Sequence, residues 1–439
     1  MLRSMYSGIS GMKNFQTKLD VIGNNIANVN TYGFKKGRAT FQDLMNQTIS
    51  GASRATENRG GQNAQQVGLG ASLSTIDTIH TQGSLQTTGR ALDVAVSGDG
   101  FFTVRNGNNE MYTRAGNFYL DSNGSLVTGQ GNLVQGYGVN ADGTVQNALG
   151  DIIIDSDATI PPQATGNVTF DGNLKASQPI ATDTDGDGVF DDTDGDGVAD
   201  GAIAIDFTVK DSLGQDIDLK VTLIKTAEKE WKYEVTDPSA DPSATPPVLG
   251  VLDTSATPSS GALKFDEQGN LRLDPANPIK PITINPPNGA VQGQEVNLDF
   301  SNITQFDSSN SANVDTVDGN AEGSLESFNI GSSGEVNGVY SNGEVRVVSQ
   351  LALATFSNPE GLTKAGNNLF QASNNSGLPN VGVAGEGRGS LQSGSLEMSN
   401  VDLSEEFTEM ITAQRGFQAN TRIITTSDEI LQELVNLKR

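Results

Sequence analysis

The chain has 439 residues, with 27 Lys and Arg against 53 Asp and Glu, one His and no Cys. The missing cysteine excludes disulfides, thiolate metal sites and thiol nucleophiles, so stability must come from packing or assembly. A formal charge of −26 argues against nucleic-acid binding, which needs Lys and Arg to neutralise phosphates.

That charge is uneven. Residues 151–330 hold 32 acidic and 9 basic residues, a net −23, which leaves −3 for the two flanks together. Near-neutral ends around an acidic middle suggest ends that pack and a middle that stays wet. Abundant Gly, Asn, Ser and Thr favour many short strands joined by turns.

At the start, Leu2, Met5, Ile9, Met12, Gln16, Leu19, Gly23 and Ile26 recur at steps of three and four, the spacing of one helix face. Ser, Gly and Lys interrupt any apolar run there, so no cleaved signal peptide is expected, and no stretch is long enough for a membrane span. The helix then meets "DVIGNNIANVNTYGFKK" (20–36), whose Asn and Gly tolerate left-handed backbone and end it. Residues 31–70 read as an extended linker.

"ALDVAVSGDGFFTV" (91–104) and "MYTRAGNFYLDSNGSLVTGQGNLV" (111–134) read as strands and turns. "YTRAGNFYLDSNG" (112–124) resembles "LTKAGNNLFQASNNSG" (362–377), sharing Thr-(Arg/Lys)-Ala-Gly-Asn. Two matching segments so far apart suggest one β domain, 71–150 with 331–399, built from both flanks around an inserted acidic outer region, 151–330. Within the latter, "AIAIDFTVKDSLGQDIDLKVTLIK" (202–225) reads as two strands turning at Leu213-Gly214, and Trp231 as a partial core anchor. An antiparallel barrel or sandwich is expected there.

The stretch "DTDGDGVFDDTDGDGVADG" (183–201) carries the only coordination motif. Asp183, Asp185, Asp187 and Gly188 match the start of an oxygen-ligand calcium loop, with Asp191 and Asp194 at its ninth and twelfth places. The pattern recurs as Asp192, Asp194, Asp196 and Gly197 with Asp200 ninth, but Ile203 stands twelfth and cannot bind metal. The overlap resembles the calcium repeats of thrombospondin type 3 modules. A structural Ca2+ is one reading and a solvated acidic loop the other.

The C-terminal stripe runs Leu403, Phe407, Met410, Gln414, Phe417, Thr421, Ile424, Asp428, Leu431, Val435 and Lys438. Asp402 or Ser404 is placed to cap this helix. Each terminal stripe is too narrow for a core of its own. Pairing within the chain and pairing with further copies both satisfy it. Gly416 and the polar breaks at Gln414, Thr421 and Asp428 suggest a seam with no single strong register.

An enzyme is not expected. His80 is the only histidine, no nucleophile elbow accompanies it, and "GDGFF" and "GQGNLVQG" lack the Lys-Ser/Thr of a phosphate loop.

"MLRSMYSGISGMKNFQTKLDVIGNNIANVNTYGFKKGRATF" (1–41), "QGSLQTTGRALDVAVSGDGFFTV" (82–104) and "GSLEMSNVDLSEEFTEMITAQRGFQANTRIITTSDEILQELVNLKR" (394–439) resemble bacterial flagellar rod and hook proteins, over about a third of the chain. The inserted middle, "SGDGFF" and the unbroken "MITAQRGFQAN" are closer to hook members than to the shorter rod members. The resemblance implies a mixed α and β fold. Residues 1–30 and 400–439 form an inner helical domain of paired, coiled-coil-like helices, followed by the linker and discontinuous, mainly antiparallel β domains.

It further implies a subunit exported through the flagellar type III apparatus and polymerising with itself into a curved tube. The tube would act as a universal joint between rod and filament. Partners would be the rod, hook–filament junction and hook-cap proteins. Neither nucleic acid nor membrane insertion is implied. Asn28 would sit at the helix stop, Tyr32 and Phe34 would anchor the linker on neighbours, and Lys35, Lys36 and Arg38 would meet carboxylates there. The calcium-like loop is not part of the family pattern. Two other readings stay open: a distal rod subunit, and a calcium-stabilised secreted adhesin with dispensable end helices.

Overall fold

The computed structural model describes residues 2–54, 59–140, 143–155, 157–182, 201–240, 251–252, 260–272 and 278–437. Among these, a long helix stands near each end and almost everything between is β. The chain forms two compact units, one of Met1–Ser156, Glu326–Val339 and Val345–Arg439, the other of Asp157–Leu325 and Tyr340–Glu344.

In the first unit, α1 (Leu2–Ala27) packs against α2 (Leu403–Asn436). Asp402 caps α2, its carboxylate accepting from the N–H groups of Ser404 and Glu405, and acidic residues fill the first turn where the dipole favours them. α1 runs on through Gly23, Asn24 and Asn25 and stops only before Asn28. The Asn28 side chain donates to the Asn24 carbonyl at 2.9 Å, which also accepts from the Asn28 N–H at 3.2 Å.

Residues 31–70 are not an extended linker. β1 (Gly37–Asp43) pairs antiparallel with β4 (Ala71–Thr78), and β2 (Asn46–Ser50) with β3 (Gln65–Gly68), making a two-stranded arm. The arm takes in residues 71–78, which the sequence pattern placed in the β domain. Its strands scatter exposed apolar residues such as Phe41, Ile49 and Leu73 among polar ones and pair across a long gap, so no nearby turn signal marks them.

The β domain of this unit interleaves early and late chain. Val94–Ser97 pairs with Ser390–Ser393, Leu85–Thr87 with Ser395–Glu397, and Val345–Thr355 with both Phe101–Asn106 and Leu133–Val139. The two Thr-(Arg/Lys)-Ala-Gly-Asn segments are brought side by side, since Tyr112 and Thr113 pair with Phe370 and Leu369.

The second unit has two sheets on one core. One is an antiparallel run through 202–210, 216–227, 230–236, 260–265 and 271–272; the other orders 282–284, 294–306, 167–175 and 313–317, with 167–175 parallel to 294–306. Alternation selects the inner face: Ile205, Phe207 and Val209 are buried while Ala204, Asp206 and Thr208 face out. Trp231 is wholly buried in the core, more than the partial anchor expected. Phe170 and Phe300 stack at 4.7 Å.

The turn read at Leu213-Gly214 is held by Asp211, which is fully buried and accepts from the N–H groups of Leu213 and Gln215 and from Asn288. Gly214 has φ +81, which a side chain rarely adopts.

Candidate assembly site

The contact between α1 and α2 is built from small residues. A Cβ at Gly416 would stand 2.5 Å from the Phe15 ring, and one at Gly11 would stand 3.0 Å from the Asn420 side chain. Gly8 faces Ile424. Thr421 Oγ1 donates to Met12 Sδ at 3.3 Å, and Lys18 pairs with Glu409 at 3.1 Å.

On α2 the most buried residues are Glu406, Ala413 and Ser427, with Asn420 half-buried between them. That stripe has a strict step of seven and lies beside the apolar one read from sequence. Gly416 is therefore the socket for Phe15, and Gln414 and Asp428 lie exposed rather than weakening the contact. The reading of a seam without a strong register is corrected on that ground.

The sequence-derived residues divide. Met5, Met12, Leu19, Ile26, Met410, Ile424 and Leu431 are half-buried, whereas Ile9, Leu403, Phe407, Phe417 and Val435 are exposed. Leu2 lies in α1, with its side chain outside the described residues. Leu403, Phe407 and Ile411 form one exposed apolar row along α2, with Ile411 53% exposed. Ile423, Ile430 and Leu437 form another at steps of seven. At 100° per residue the two rows fall on opposite flanks of the buried stripe.

The deeper residues Asn25 and Glu406 were missed, because polar residues give no apolar periodicity. Asn25 binds both the N–H and the C=O of Gly37 at 2.9 Å and donates to Glu406 at 3.2 Å. Burial pushes the Glu406 carboxyl up, against the opposing pulls of Asn25 and Lys36. A cavity of about 310 Å3 lies here, lined by Lys18, Ile22, Lys36 and Glu405 among others.

Beyond the helix stop, Asn28 and Tyr32 are half-buried and Phe34 is buried within this chain rather than offered to a neighbour. The basic residues also find carboxylates at home: Lys35 with Glu397 at 2.6 Å, Lys36 with Glu405 at 2.7 Å, Arg38 with Asp77 at 3.4 Å. The folded backbone brings residues 35 and 397 together, which no sequence spacing shows. Further out, the arm exposes Leu44, Met45, Ile49 and Ile76, Met45 by 80%.

His80 packs against Phe101 and Phe370, at ring distances of 5.6 and 5.5 Å. Its pKa is lowered to about 4, first by burial and then by Lys35, Arg114 and Lys364. The candidate calcium ligands Asp183, Asp185, Asp187, Asp191, Asp192, Asp194, Asp196 and Asp200 lie outside the described residues.

Four family descriptions match the chain. They are "Flagella basal body rod protein" over 5–35, "Flagellar hook protein FlgE/F/G D1 domain" over 95–176, "Flagellar basal body protein FlaE D2 domain" over 173–320 and "Flagellar basal body rod FlgEFG protein C-terminal" over 392–437. The chain is 41% identical to the flagellar hook protein FlgE of Borreliella burgdorferi, with 100% of both chains covered. It is 36% identical to the flagellar basal-body rod protein FlgG of Bacillus subtilis, again over 100% of both. The crystal structure of Helicobacter pylori flagellar hook protein FlgE2 matches 71% of this chain and 100% of that one, with a TM-score of 0.51 and 15% identity, a likeness of fold.

Proposed function

This chain belongs to the flagellar hook protein family and is a structural subunit of the bacterial flagellar hook, and from that premise we propose how it assembles. The subunits polymerise through the coiled-coil-like pair of terminal helices into a flexible curved tube. The observation that carries this is the pair of apolar rows on α2, Leu403–Phe407–Ile411 and Ile423–Ile430–Leu437, left exposed after α1 has packed. Exposed apolar surface of this extent marks an interaction face, and a repeated head-to-tail contact that does not close builds a helical filament. The exposed arm, with Met45 and Ile49, is the second contact between copies. An isolated two-stranded ribbon is marginal in water without such cover.

In this reading the acidic middle is an insertion facing outward, and the tube is a universal joint carrying torque from rod to filament. The subunit leaves the cell through the flagellar type III apparatus. It meets rod, cap and hook–filament junction proteins at the ends of the tube. Its part is structural, and we assign it no catalytic role. The Asp-rich segment 183–201 binds Ca2+ structurally; titrating the full chain with Ca2+ should raise the melting temperature, and an unchanged melt would reject the ion.

The assembly is tested by negative-stain microscopy of the full chain beside one lacking residues 1–30 and 400–439. Curved tubes from the first and monomers from the second are expected. Straight tubes would favour a rod subunit, the reading that the Bacillus subtilis relative's name supports. Monomers in both samples would reject assembly through the helices.

A further inference from the structure

The pentapeptide Thr-(Arg/Lys)-Ala-Gly-Asn occurs at 113–117 and 363–367, and both copies reach one segment, Tyr32–Lys36, where the chain leaves α1. Gly33 lies flat on the backbone of the first copy. With φ +69, a Cβ there would stand 2.6 Å from the Ala115 nitrogen. Arg114 donates to the carbonyls of Val96 and Gly98 at 3.1 and 2.6 Å and stands 3.4 Å from Glu397.

From the second copy, Lys364 Nζ donates to the Lys35 carbonyl at 3.3 Å and lies 5.1 Å over the Phe34 ring. The adjoining Asn368 donates to the Tyr32 carbonyl at 3.0 Å, and its own carbonyl accepts from Thr113 Oγ1 at 3.0 Å, tying the copies together.

The segment entering α2 closes the arrangement. Gly33 N–H donates to the Glu397 carbonyl at 2.8 Å, Lys36 N–H to Asn400 Oδ1 at 2.8 Å, and Asn400 N–H to the Phe34 carbonyl at 3.4 Å. Glu397 Oε1 accepts from Lys35 Nζ and, at 2.9 Å, from Gly83 N–H. The Lys35 and Glu397 side chains are both fully buried.

We propose that the two pentapeptides are the jaws of a clamp on Tyr32–Lys36, that Glu397 is its lock, and that the chain leaving α1 and the chain entering α2 are therefore seated together or not at all. If Glu397 left alone, it would strand both Lys35 and Arg114 in the interior, where unpaired ions are strongly disfavoured, and if Lys35 left alone, Glu397 would keep only one cation, Arg114 at 3.4 Å. Clamp closure thus fixes both helix roots at once. Glu397 and Lys364 are positioning residues for the helix pair. The backbone bonds alone would let each segment loosen separately; the shared buried charge couples them.

Hydrogen exchange on the full chain tests this without needing tubes, so its failure leaves the assembly reading standing and the reverse also holds. The windows are 29–38 and 395–402, with 202–236 as internal reference. In the wild type both windows should be protected. Glu397→Gln keeps the shape but strands Lys35, and should speed exchange roughly tenfold or more in both windows while the reference is unchanged. Lys35→Met with Glu397→Gln should restore part of that protection.

Should Glu397→Gln fail to fold, Lys364→Ala removes one jaw from the exposed side and should also loosen both windows together. Loosening of one window alone, unprotected windows in the wild type, or no change in the variant that folds would each overturn the clamp.

Discussion

His80 is read from sequence as a lone histidine with no catalytic company, and its surroundings give it a physical consequence instead. It lies against Phe101 and Phe370, with Lys35, Arg114 and Lys364 as the nearby cations and Asp99 lining the same cavity. Its pKa in the folded chain, about 4, is below its ordinary value of 6.5. The unfolded chain therefore binds the proton first as pH falls. Stability that is intact above 6.5 is lost towards 4, by up to about 1.4 kcal/mol per pH unit. Melting of the first unit between pH 7 and 4 should show this loss, and His80→Leu should remove the part centred on that interval. An identical slope in the variant would assign the acid sensitivity to carboxylates alone.

At the scale of elements, the α1–α2 contact shows why an apolar count misplaces a helix face. Large side chains at 403, 407 and 411 dominate the count, yet helices that approach closely need small residues where they touch, here Gly8, Gly11, Ala413 and Gly416. Gly416→Ala sets two effects against each other. Helix propensity favours alanine by about 1 kcal/mol. Overpacking against the Phe15 ring disfavours it by about 1–3 kcal/mol, and the ring's 2.5 Å approach lets overpacking win. Gly416→Ala should lower the melting of the helical signal, and adding Phe15→Ala should recover it. A stabilised single variant would show that the two helices do not meet in this register in solution.

For the whole molecule, the segments that open and end the long run 157–325 of the second unit lie side by side. Thr159 and Ile160 pair with Ser324 and Gly323, and Leu325 N–H reaches the Ala158 carbonyl. Among the described residues, its core is drawn from 168–317. Residues 157–325 expressed alone should therefore fold, with a cooperative unfolding transition followed by the fluorescence of the buried Trp231. A fragment whose Trp231 emission is that of an exposed indole would show that the unit depends on the rest of the chain.

The amino-acid sequence by itself determined the two terminal helices, the asparagine stop of the first, the glycine turns, the β character between and the family. These follow from local conformational preference, from periodicity, or from contiguous motifs. Tertiary structure alone decided that the segments 37–50 and 65–78 pair into an arm, that Lys35 meets Glu397, and which face of α2 is covered. Each of these depends on which distant segments share a neighbourhood. Small and polar residues at such contacts carry no periodic signal of their own; their environment, not their type, makes them the contact.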